Sequence, residues 1–373
     1  MTRVAITGSG LFTPAESISN DELVACFNAY VERENSRNAV AIAAGTAEQM
    51  SASSSEFIVK ASGIKSRYVV DKAGVLDIDF MRPRIRTRNN DEPSLMVEMG
   101  AAAARQALAT GGRTAADIDL VICAASNLQR PYPAMAVELQ QHLGAGGFGY
   151  DMNVACASAA FGIQSAVDAV RQGSAKCALV VNPEICSGHL NWRNRDCHFI
   201  FGDAATAVVV EPLETSVSSD KFEVLGTKLK TQFSNNIRNN FGFLTALDTD
   251  ERAWNVVVFQ QEGRKVFKEV VPMVSELLLS HLAELGIAPD GVKRFWLHQA
   301  NLSMNQFIAR KVLGRDPSEL EAPVILDEYA NTSSAGCIIA FHKHHADFAA
   351  GELGVISGFG AGYSAGSVVV RRV

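Results

Sequence analysis

Residues 153–160 read Asn-Val-Ala-Cys-Ala-Ser-Ala-Ala, and residues 328–335 read Glu-Tyr-Ala-Asn-Thr-Ser-Ser-Ala. In both places a run of small residues precedes a helical pattern, then a glycine, and then another apolar strand. Self-similarity of this kind indicates a chain built from two related units. The two stretches therefore predict a duplicated α/β fold in which Cys156 and Asn331 occupy equivalent positions, each where a strand turns into a helix.

A second pair of matching segments supports the duplication. Residues 117–127 (Asp-Ile-Asp-Leu-Val-Ile-Cys-Ala-Ala-Ser-Asn) resemble residues 291–301 (Gly-Val-Lys-Arg-Phe-Trp-Leu-His-Gln-Ala-Asn), because each is an apolar strand that ends in a small polar loop. The seam between the two units falls near residues 211–222. We therefore expect an N-terminal half over residues 1–215 and a C-terminal half over residues 216–373.

Strand patterns alternate with helical patterns along the chain, which is typical of helices packed on a mostly parallel sheet. The clearest examples are the helical runs 94–110 and 262–285 and the strand runs 118–125 and 178–181. Two segments of the N-terminal half, residues 28–56 and 70–93, are rich in Asn, Ser, Arg and Glu. We interpret both as irregular surface insertions.

The composition excludes several classes of protein. With 47% hydrophobic and 20% charged residues the chain is too apolar to be disordered, and its formal charge of −6 offers no basic excess for nucleic acid. The first residues resemble a strand rather than a signal peptide, and no run is long and apolar enough to span a membrane. Seven scattered cysteines without a C-x-x-C pair suit a reducing compartment, so we expect a cytoplasmic location.

Four features could carry chemistry, and each has a structural alternative. Cys156 falls in the first turn of a predicted helix, where free amides and the helix dipole favour a thiolate, although it is equally consistent with a packing cysteine. His298 directly follows an apolar strand, where a structural role is the alternative. Asn331 is consistent with a simple helix N-cap. The stretch Gly358-Phe359-Gly360-Ala361-Gly362 is either a plain turn or a loop that lets amides approach a ligand.

Two further patterns are discounted. Gly8-Ser9-Gly10 follows the first strand, but the third glycine of a dinucleotide-binding loop is missing because position 13 is Thr13. The cluster His342-Lys343-His344-His345 is interpreted as the end of a helix rather than as a metal site, because no cysteine adjoins it and Asp347 is the one nearby carboxylate. We therefore expect neither a metal nor a redox cofactor.

Seven short motifs together resemble the β-ketoacyl-acyl-carrier-protein synthase III family of thiolase-superfamily condensing enzymes. They are Ser62-Gly63-Ile64-Lys65-Ser66-Arg67, the Cys156 segment, Phe201-Gly202-Asp203, Val266-Phe267-Lys268, His298-Gln299-Ala300-Asn301, Asn331-Thr332-Ser333 and the glycine-rich stretch 358–362. The resemblance covers nearly the whole chain. It implies a thiolase-like fold, in which two duplicated α/β halves form a five-layer α-β-α-β-α sandwich.

The resemblance also implies a mechanism and a set of partners. Cys156 would accept the acyl group of an acyl-CoA primer, with the backbone N–H groups of Cys156 and Ala361 as the oxyanion hole. His298 and Asn331 would donate hydrogen bonds to the enolate formed when malonyl-acyl-carrier protein loses carbon dioxide. The product would be a β-ketoacyl-acyl-carrier protein of fatty acid biosynthesis.

Several positions depart from the family's pattern. A tryptophan and an arginine that contact coenzyme A are replaced by Phe57 and Ala61, and a second arginine contact aligns with Gly188. An arginine tied to carrier-protein docking is replaced by Ser303, and the central glycine of the family's G-G-G loop is Ala361. We therefore expect that the recognition of the acyl donor has changed, and the donor is either an acyl-CoA or an acyl-carrier protein.

Other positions match the family. Lys268, Arg310 and Lys311 correspond to basic residues that the family offers to the acidic carrier protein, although a solvated surface is the alternative. Tyr132 corresponds to an aromatic residue that crosses a homodimer interface to cap the partner's acyl pocket. The two insertions resemble a longer branch that takes medium-chain primers, as the β-ketodecanoyl-carrier-protein synthases do with octanoyl-CoA.

Three rival functions share parts of this pattern. A papain-like cysteine protease also orders its residues Cys, His, Asn, but the Cys156 segment lacks that family's sequence context. A non-catalytic partner subunit of the same fold would be expected to lack one of the three residues. A relative that condenses a different acceptor, in alkylquinolone, heterocycle or polyketide-starter synthesis, shares the three residues and stays open.

Overall fold

The computed structural model describes residues 2–249 and 257–373. The strands in these ranges are β1 (Val4–Phe12), β2 (Glu16–Ser19), β3 (Ser66–Val69), β4 (Leu120–Ala124), β5 (Phe148–Met152), β6 (Ala178–Ile185), β7 (Asp203–Pro212), β8 (Phe222–Ser234), β9 (Ile237–Arg238), β10 (Gln260–Gln261), β11 (Val292–Leu297), β12 (Leu353–Gly360) and β13 (Gly362–Arg372). The helices are α1 (Asn20–Arg37), α2 (Ala39–Ala43), α3 (Ser55–Ser62), α4 (Lys72–Val75), α5 (Leu95–Gly111), α6 (Met135–Leu143), α7 (Ser158–Arg171), α8 (Gly263–Glu284), α9 (Leu302–Leu313), α10 (Leu326–Tyr329) and α11 (Ala335–Lys343). Within the described ranges, none of these helices is long and apolar enough to cross a lipid bilayer.

Nine strands form one mixed sheet in the order β11-β12-β13-β8-β1-β7-β6-β4-β5. Strand β4 pairs in parallel with β5 and β6, and β11 pairs in parallel with β12, whereas the other neighbours are antiparallel. The pairing of β1 with β8 consists of Ala5 with Glu223 and Ile6 with Phe222. This short pairing divides the sheet into an N-terminal set of five strands and a C-terminal set of four.

Helices lie between the two sets of strands and outside both of them. Ile163 of α7 and Ile338 of α11 belong to one buried cluster with Val180 of the N-terminal set and Ile356 of the C-terminal set. Helices α5 and α6 pack on the outer face of the N-terminal set, and α8 and α9 pack on the outer face of the C-terminal set. The layers are therefore α-β-α-β-α, which confirms the predicted sandwich and explains the small, apolar residues of α7 and α11.

Most predicted elements are present with small changes at their ends. The run 94–110 is α5 with Ser94 as its N-cap residue, and the run 262–285 is α8. The predicted boundary between residues 215 and 216 falls in the connection from β7 to β8. The sheet continues across that boundary, so the division into residues 1–215 and 216–373 stays a proposal. Residues 250–256 of the C-terminal half lie outside the described ranges.

The interpretation of residues 28–56 as irregular is wrong for the first part of the segment. Helix α1 starts at a capping box of Ser19 and Glu22 and continues to Arg37. Asn28 pairs with the backbone of Ser53 through hydrogen bonds of 3.0 and 2.8 Å, and Asn35 pairs in the same way with Met50. The asparagines that suggested a loop therefore lie on the helix and hold the returning loop against it.

Candidate active site

Cys156 lies in a 3₁₀ turn, Ala155–Ala157, that leads from β5 into α7. Ala155 adopts a φ of 47°, a conformation that residues with a Cβ adopt rarely. A Cβ placed on Gly360 of β12 would lie 2.7 Å from the Cβ of Cys156 and 3.0 Å from its Sγ. Glycine at position 360 therefore allows β12 to approach the cysteine, which is how the glycine-rich stretch serves the site.

The turn formed by residues 331–334 brings Asn331 and Ser333 to the cysteine. Asn331 Oδ1 accepts a hydrogen bond of 2.8 Å from the Ser333 N–H, and the Ser333 hydroxyl donates to Cys156 Sγ at 3.3 Å. The N-cap residue of α11 is Ser334, so the interpretation of Asn331 as a helix N-cap is wrong. Because its oxygen is engaged within the turn, the amide nitrogen of Asn331 is the group left to donate to a ligand.

His298 directly follows β11, as predicted, and its backbone N–H donates to the Ser357 carbonyl at 2.8 Å. Its side chain is buried, and Nδ1 has no hydrogen-bond partner among the described residues. A neutral imidazole carries one donor and one acceptor nitrogen, and a buried N–H without an acceptor is rarely tolerated. This arrangement favours the tautomer with the proton on Nε2.

Burial controls the ionisation of both side chains. It raises the pKa of the Cys156 thiol to about 12, against the opposing effect of the Ser333 hydroxyl and of the backbone N–H groups of Cys156 and Ala361. The expectation that the helix start favours a thiolate is therefore wrong for the free enzyme, because desolvation outweighs the amides. Burial also lowers the pKa of His298 to about 4, with the Ser333 backbone acting in the opposite direction, so His298 is neutral near pH 7.

A cavity of about 750 Å³ brings the three predicted catalytic residues Cys156, His298 and Asn331 together. Its apolar lining residues include Phe57, Phe199, Ile200, Phe201, Ile237, Phe259, Val266, Phe267, Val270, Met304 and Phe359. Its polar lining includes the exposed residues Asp196, Arg264, Lys268 and Ser303. The cavity therefore combines an apolar wall with an exposed, charged rim, which suits a long ligand with an apolar part and a polar head.

An arginine that sequence reasoning missed lies over Phe57, one of the residues that line the cavity. The guanidinium of Arg195 is 3.9 Å from the centroid of the Phe57 ring, and its Nε donates to the Ala52 carbonyl at 2.7 Å. The neighbouring Arg193 donates to the Asp79 carbonyl at 2.9 Å. The two insertions therefore hold the connection between β6 and β7 in place. As a result a cationic group, the Arg195 guanidinium, lies against Phe57, although the positions of the family's coenzyme A arginines hold Ala61 and Gly188.

The three predicted docking residues lie on the exposed surface of α8 and α9. Lys268 lines the cavity rim, and Arg310 and Lys311 are exposed on the last turn of α9. The Arg310 side chain pairs with Asp316 and lies 5.3 Å from the centroid of the Phe307 ring. Part of the Arg310 charge is therefore neutralised within the chain, whereas Lys268 faces the cavity.

The two remaining predicted site residues are Ala361, next to the catalytic thiol, and Tyr132, on the surface. The backbone N–H of Ala361 acts to lower the pKa of the Cys156 thiol, and its predicted role in the oxyanion hole stays a prediction. Tyr132 is 76% exposed and is not one of the described residues that line the cavity of its own chain. Its predicted role needs a second copy of the chain and stays a prediction.

A second missed residue is Glu184, at the end of β6. Its side chain is fully buried, and burial raises its pKa to about 7. Glu184 lies beyond the strand predicted over residues 178–181, so the sequence pattern did not single it out. Residues 2–249 and 257–373 contain no group of three or more His, Cys, Asp or Glu side chains that could hold a metal ion.

Comparison with known proteins gives consistent matches along the chain. Two models of 3-oxoacyl-[acyl-carrier-protein] synthase III match, one over residues 150–232 and its C-terminal counterpart over residues 282–372. The β-ketodecanoyl-[acyl-carrier-protein] synthase of Pseudomonas aeruginosa is 60% identical over 346 residues, which are 93% of this chain and 99% of that protein.

More distant relatives match over nearly the whole chain. The β-ketoacyl-[acyl-carrier-protein] synthase III of Bordetella petrii is 30% identical over 100% of this chain and 98% of that protein. The crystal structure of 3-oxoacyl-[acyl-carrier-protein] synthase III from Aquifex aeolicus superposes with a TM-score of 0.76, at 24% identity and 99% coverage of both chains. The thiolase-like fold predicted from the sequence is therefore confirmed.

Proposed function

The chain belongs to the 3-oxoacyl-[acyl-carrier-protein] synthase III family of condensing enzymes, and on that premise we propose that it extends a medium-chain acyl primer with malonyl-acyl-carrier protein. The product would be a β-ketoacyl-acyl-carrier protein of fatty acid biosynthesis. The observation that carries the proposal is the convergence of a thiol, a neutral imidazole and a carboxamide on one largely apolar cavity.

In the first half-reaction the sulfur of Cys156 attacks the carbonyl carbon of the primer thioester. The developing oxyanion would accept hydrogen bonds from the backbone N–H groups of Cys156 and Ala361, both of which act to lower the pKa of the thiol. The tetrahedral intermediate then expels the coenzyme A thiolate, which takes up the proton that the cysteine has lost. The acyl group remains on Cys156 as a thioester.

In the second half-reaction malonyl-acyl-carrier protein loses carbon dioxide, and negative charge develops on its thioester oxygen. His298 Nε2–H and the Asn331 amide donate hydrogen bonds to that oxygen, which a carboxylate, having no donor, could not do. The carbanion attacks the acyl carbonyl on Cys156 and expels the cysteine thiolate. The thiolate then takes up a proton from solvent, which returns the enzyme to its starting state.

A medium-chain primer is supported by two observations. The cavity wall is built largely of aromatic and aliphatic side chains, which bury an alkyl chain favourably. The relative with 60% identity is named for a ten-carbon product, β-ketodecanoyl, which corresponds to an eight-carbon primer plus two carbons from malonate. Octanoyl-CoA is therefore the primer that we propose.

The rim of the cavity offers two separate polar surfaces for the two substrates. Phe57 and Arg195 form an aromatic–cation pair suited to the nucleotide of coenzyme A. Lys268 and Arg264 flank the opening on α8, beside the edge-to-face pair of Phe267 and Phe307. With Arg310 and Lys311 on α9, this cationic surface suits the acidic acyl carrier protein.

We also propose a homodimer in the cytoplasm. Strand β5 is one of the two edge strands of the nine-stranded sheet, and Phe148 at its start is 45% exposed. An edge strand offers unpaired backbone groups that a second copy could pair with. The exposed Tyr132 would then contact the partner chain.

Acyl loading tests the proposed primer directly. The protein is incubated with acetyl-, octanoyl- and palmitoyl-CoA, and the acyl-enzyme is weighed by intact mass spectrometry, with Cys156→Ala as the blank. We expect rapid octanoylation, followed by discharge when malonyl-acyl-carrier protein, but not malonyl-CoA, is added. Preferential acetylation would contradict the medium-chain primer, and discharge by malonyl-CoA alone would contradict the carrier-protein acceptor.

A further inference from the structure

Glu184 occupies the junction between the two halves of the molecule. Its carboxylate accepts hydrogen bonds from the Ser126 N–H at 2.9 Å and from the Ser126 hydroxyl at 2.6 Å, both on the loop that follows β4. It also accepts from the Ser334 N–H at 3.2 Å and from the Ser334 hydroxyl, both at the end of the 331–334 turn. One buried side chain therefore ties a loop of the N-terminal half to the turn that carries Asn331.

The donors around Glu184 require an acceptor at this position. Two of them are backbone N–H groups, which cannot change direction to become acceptors. A buried carboxylate is stable when such donors surround it, and the hydrogen bonds of Ser126 and Ser334 oppose the effect of burial on the Glu184 pKa. An amide at position 184 could keep these contacts only if the Ser126 hydroxyl turned to accept from the amide nitrogen, and it would lose the negative charge that strengthens the hydrogen bonds.

The 331–334 turn connects this contact to the reacting groups. Ser333, next to Ser334, adopts a φ of 50°, which holds its N–H on Asn331 Oδ1 and its hydroxyl on Cys156 Sγ. Residues with a Cβ adopt such a conformation only when the surroundings impose it. The contacts of Ser334 with Glu184 and with the Ala124 carbonyl, at 3.3 Å, supply that constraint from the far side of the turn.

We propose that Glu184 is a positioning residue, which holds the 331–334 turn against the N-terminal half and so directs the Asn331 amide at the malonyl-derived enolate. This inference rests on the proposed function, because it assigns Asn331 to the decarboxylation half-reaction. Glu184 itself touches neither substrate. Its loss should therefore slow the half-reaction that uses Asn331 more than the half-reaction that uses the oxyanion hole of Cys156 and Ala361.

The test compares the two half-reactions in Glu184→Gln and Ser334→Ala. Octanoylation of Cys156 by octanoyl-CoA and carbon dioxide release from malonyl-acyl-carrier protein are each followed in single turnovers. We expect decarboxylation to fall about 10- to 100-fold in Glu184→Gln, an effect typical of a small misplacement of a catalytic group. Acylation should fall by a smaller factor, because the same turn carries the Ser333 hydroxyl that contacts Cys156 Sγ. Ser334→Ala keeps its N–H contact with Glu184, so it should give a smaller loss of decarboxylation rate. In the double variant the fold loss should be smaller than the product of the two single fold losses, because both substitutions disturb the same contact.

A matched control separates positioning from general stability. Glu211 is also a buried carboxylate, but it lies near the C-terminal end of β7 and pairs with Arg113. Glu211→Gln should leave the ratio of the two rates unchanged. An unchanged ratio in both Glu184→Gln and Ser334→Ala, or an equal loss in the two half-reactions, would overturn the proposal.

Two further results decide between this inference and the proposed function. If Asn331→Ala lowers decarboxylation selectively while Glu184→Gln does not, the role of Glu184 fails and the proposed function stands. If Asn331→Ala itself shows no selectivity, the assignment of Asn331 fails, and the role of Glu184 falls with it. Should Glu184→Gln not fold, Ser334→Ala decides the question, because removing one hydroxyl leaves the buried carboxylate and its other donors in place.

Discussion

The ionisation of Cys156 gives a quantitative prediction. Burial raises the pKa of its thiol to about 12, and the Ser333 hydroxyl opposes that shift. At pH 7 only about one molecule in 10⁵ would then carry the thiolate that attacks an electrophile, and this fraction would rise about tenfold with each pH unit. Raising the pH and removing the Ser333 hydroxyl should therefore change the reactivity of Cys156 in opposite directions.

The assay is alkylation of Cys156 by iodoacetamide, followed by mass spectrometry under excess reagent. The other six cysteines are buried, and Cys156→Ala supplies the background. We expect the rate to rise about tenfold per pH unit from pH 7 to 10 without a plateau, because the folded protein would still bind the thiol proton throughout that range. In Ser333→Ala the rate at pH 8 should fall about tenfold or more, since a hydrogen bond to a charged group contributes about 1.5–3 kcal/mol.

Ser275→Ala is the matched control, because the Ser275 hydroxyl is also buried but donates to Val271 within α8 at 2.7 Å. It should leave the alkylation rate unchanged. A plateau below pH 9 would refute the reasoning, because it would mean that the thiolate forms despite burial. Faster alkylation in Ser333→Ala would refute the role of the hydroxyl.

Three other predictions follow from the surfaces and the packing. Lys268→Glu should raise KM for malonyl-acyl-carrier protein about tenfold without slowing octanoyl loading, because a rim charge acts mainly on the encounter with a charged partner. The control is Lys176→Glu, on the loop before β6, and an equal rise in KM in both variants would contradict a specific docking surface. Arg195→Ala should raise KM for octanoyl-CoA but not for octanoyl-pantetheine, which lacks the nucleotide. Arg105→Ala, the control, should change neither KM. Equal rises in the two KM values of Arg195→Ala would exclude contact with the nucleotide. Gly354→Ala should lower the free energy of unfolding by at least about 1 kcal/mol, because the added Cβ would lie 2.2 Å from the buried Trp296 ring. Gly291→Ala, whose Cβ would meet no described atom within 4 Å, is the control, and equal melting temperatures of these two variants would refute the packing argument.

Much of the fold followed from local patterns in the sequence. The helical run predicted over residues 94–110 is α5, which ends before Gly112, a residue in the left-handed conformation that glycine adopts readily. The internal repeat predicted that Cys156 and Asn331 would meet, and both line one cavity. These features are readable because each depends on residues that are close together in the chain or on a pattern that recurs.

The features that escaped prediction depend on contacts between distant segments. The thiol of Cys156 is desolvated partly because β12, with its glycine at position 360, approaches from the other half of the chain. Glu184 acquires its role from Ser126 and Ser334, which lie on two other elements. Arg195 belongs to a polar loop without a motif, and its position over an aromatic ring exists only in the folded chain.

The division of labour among the three residues is the central claim, and one measurement tests it most directly. Octanoylation of the enzyme and carbon dioxide release from malonyl-acyl-carrier protein are measured separately, in single turnovers, for His298→Ala and Asn331→Ala. We predict near-normal octanoylation of Cys156 and a loss of decarboxylation of at least about 100-fold in each variant, as expected when a donor to a developing oxyanion is removed. An equal loss in both half-reactions would contradict the account.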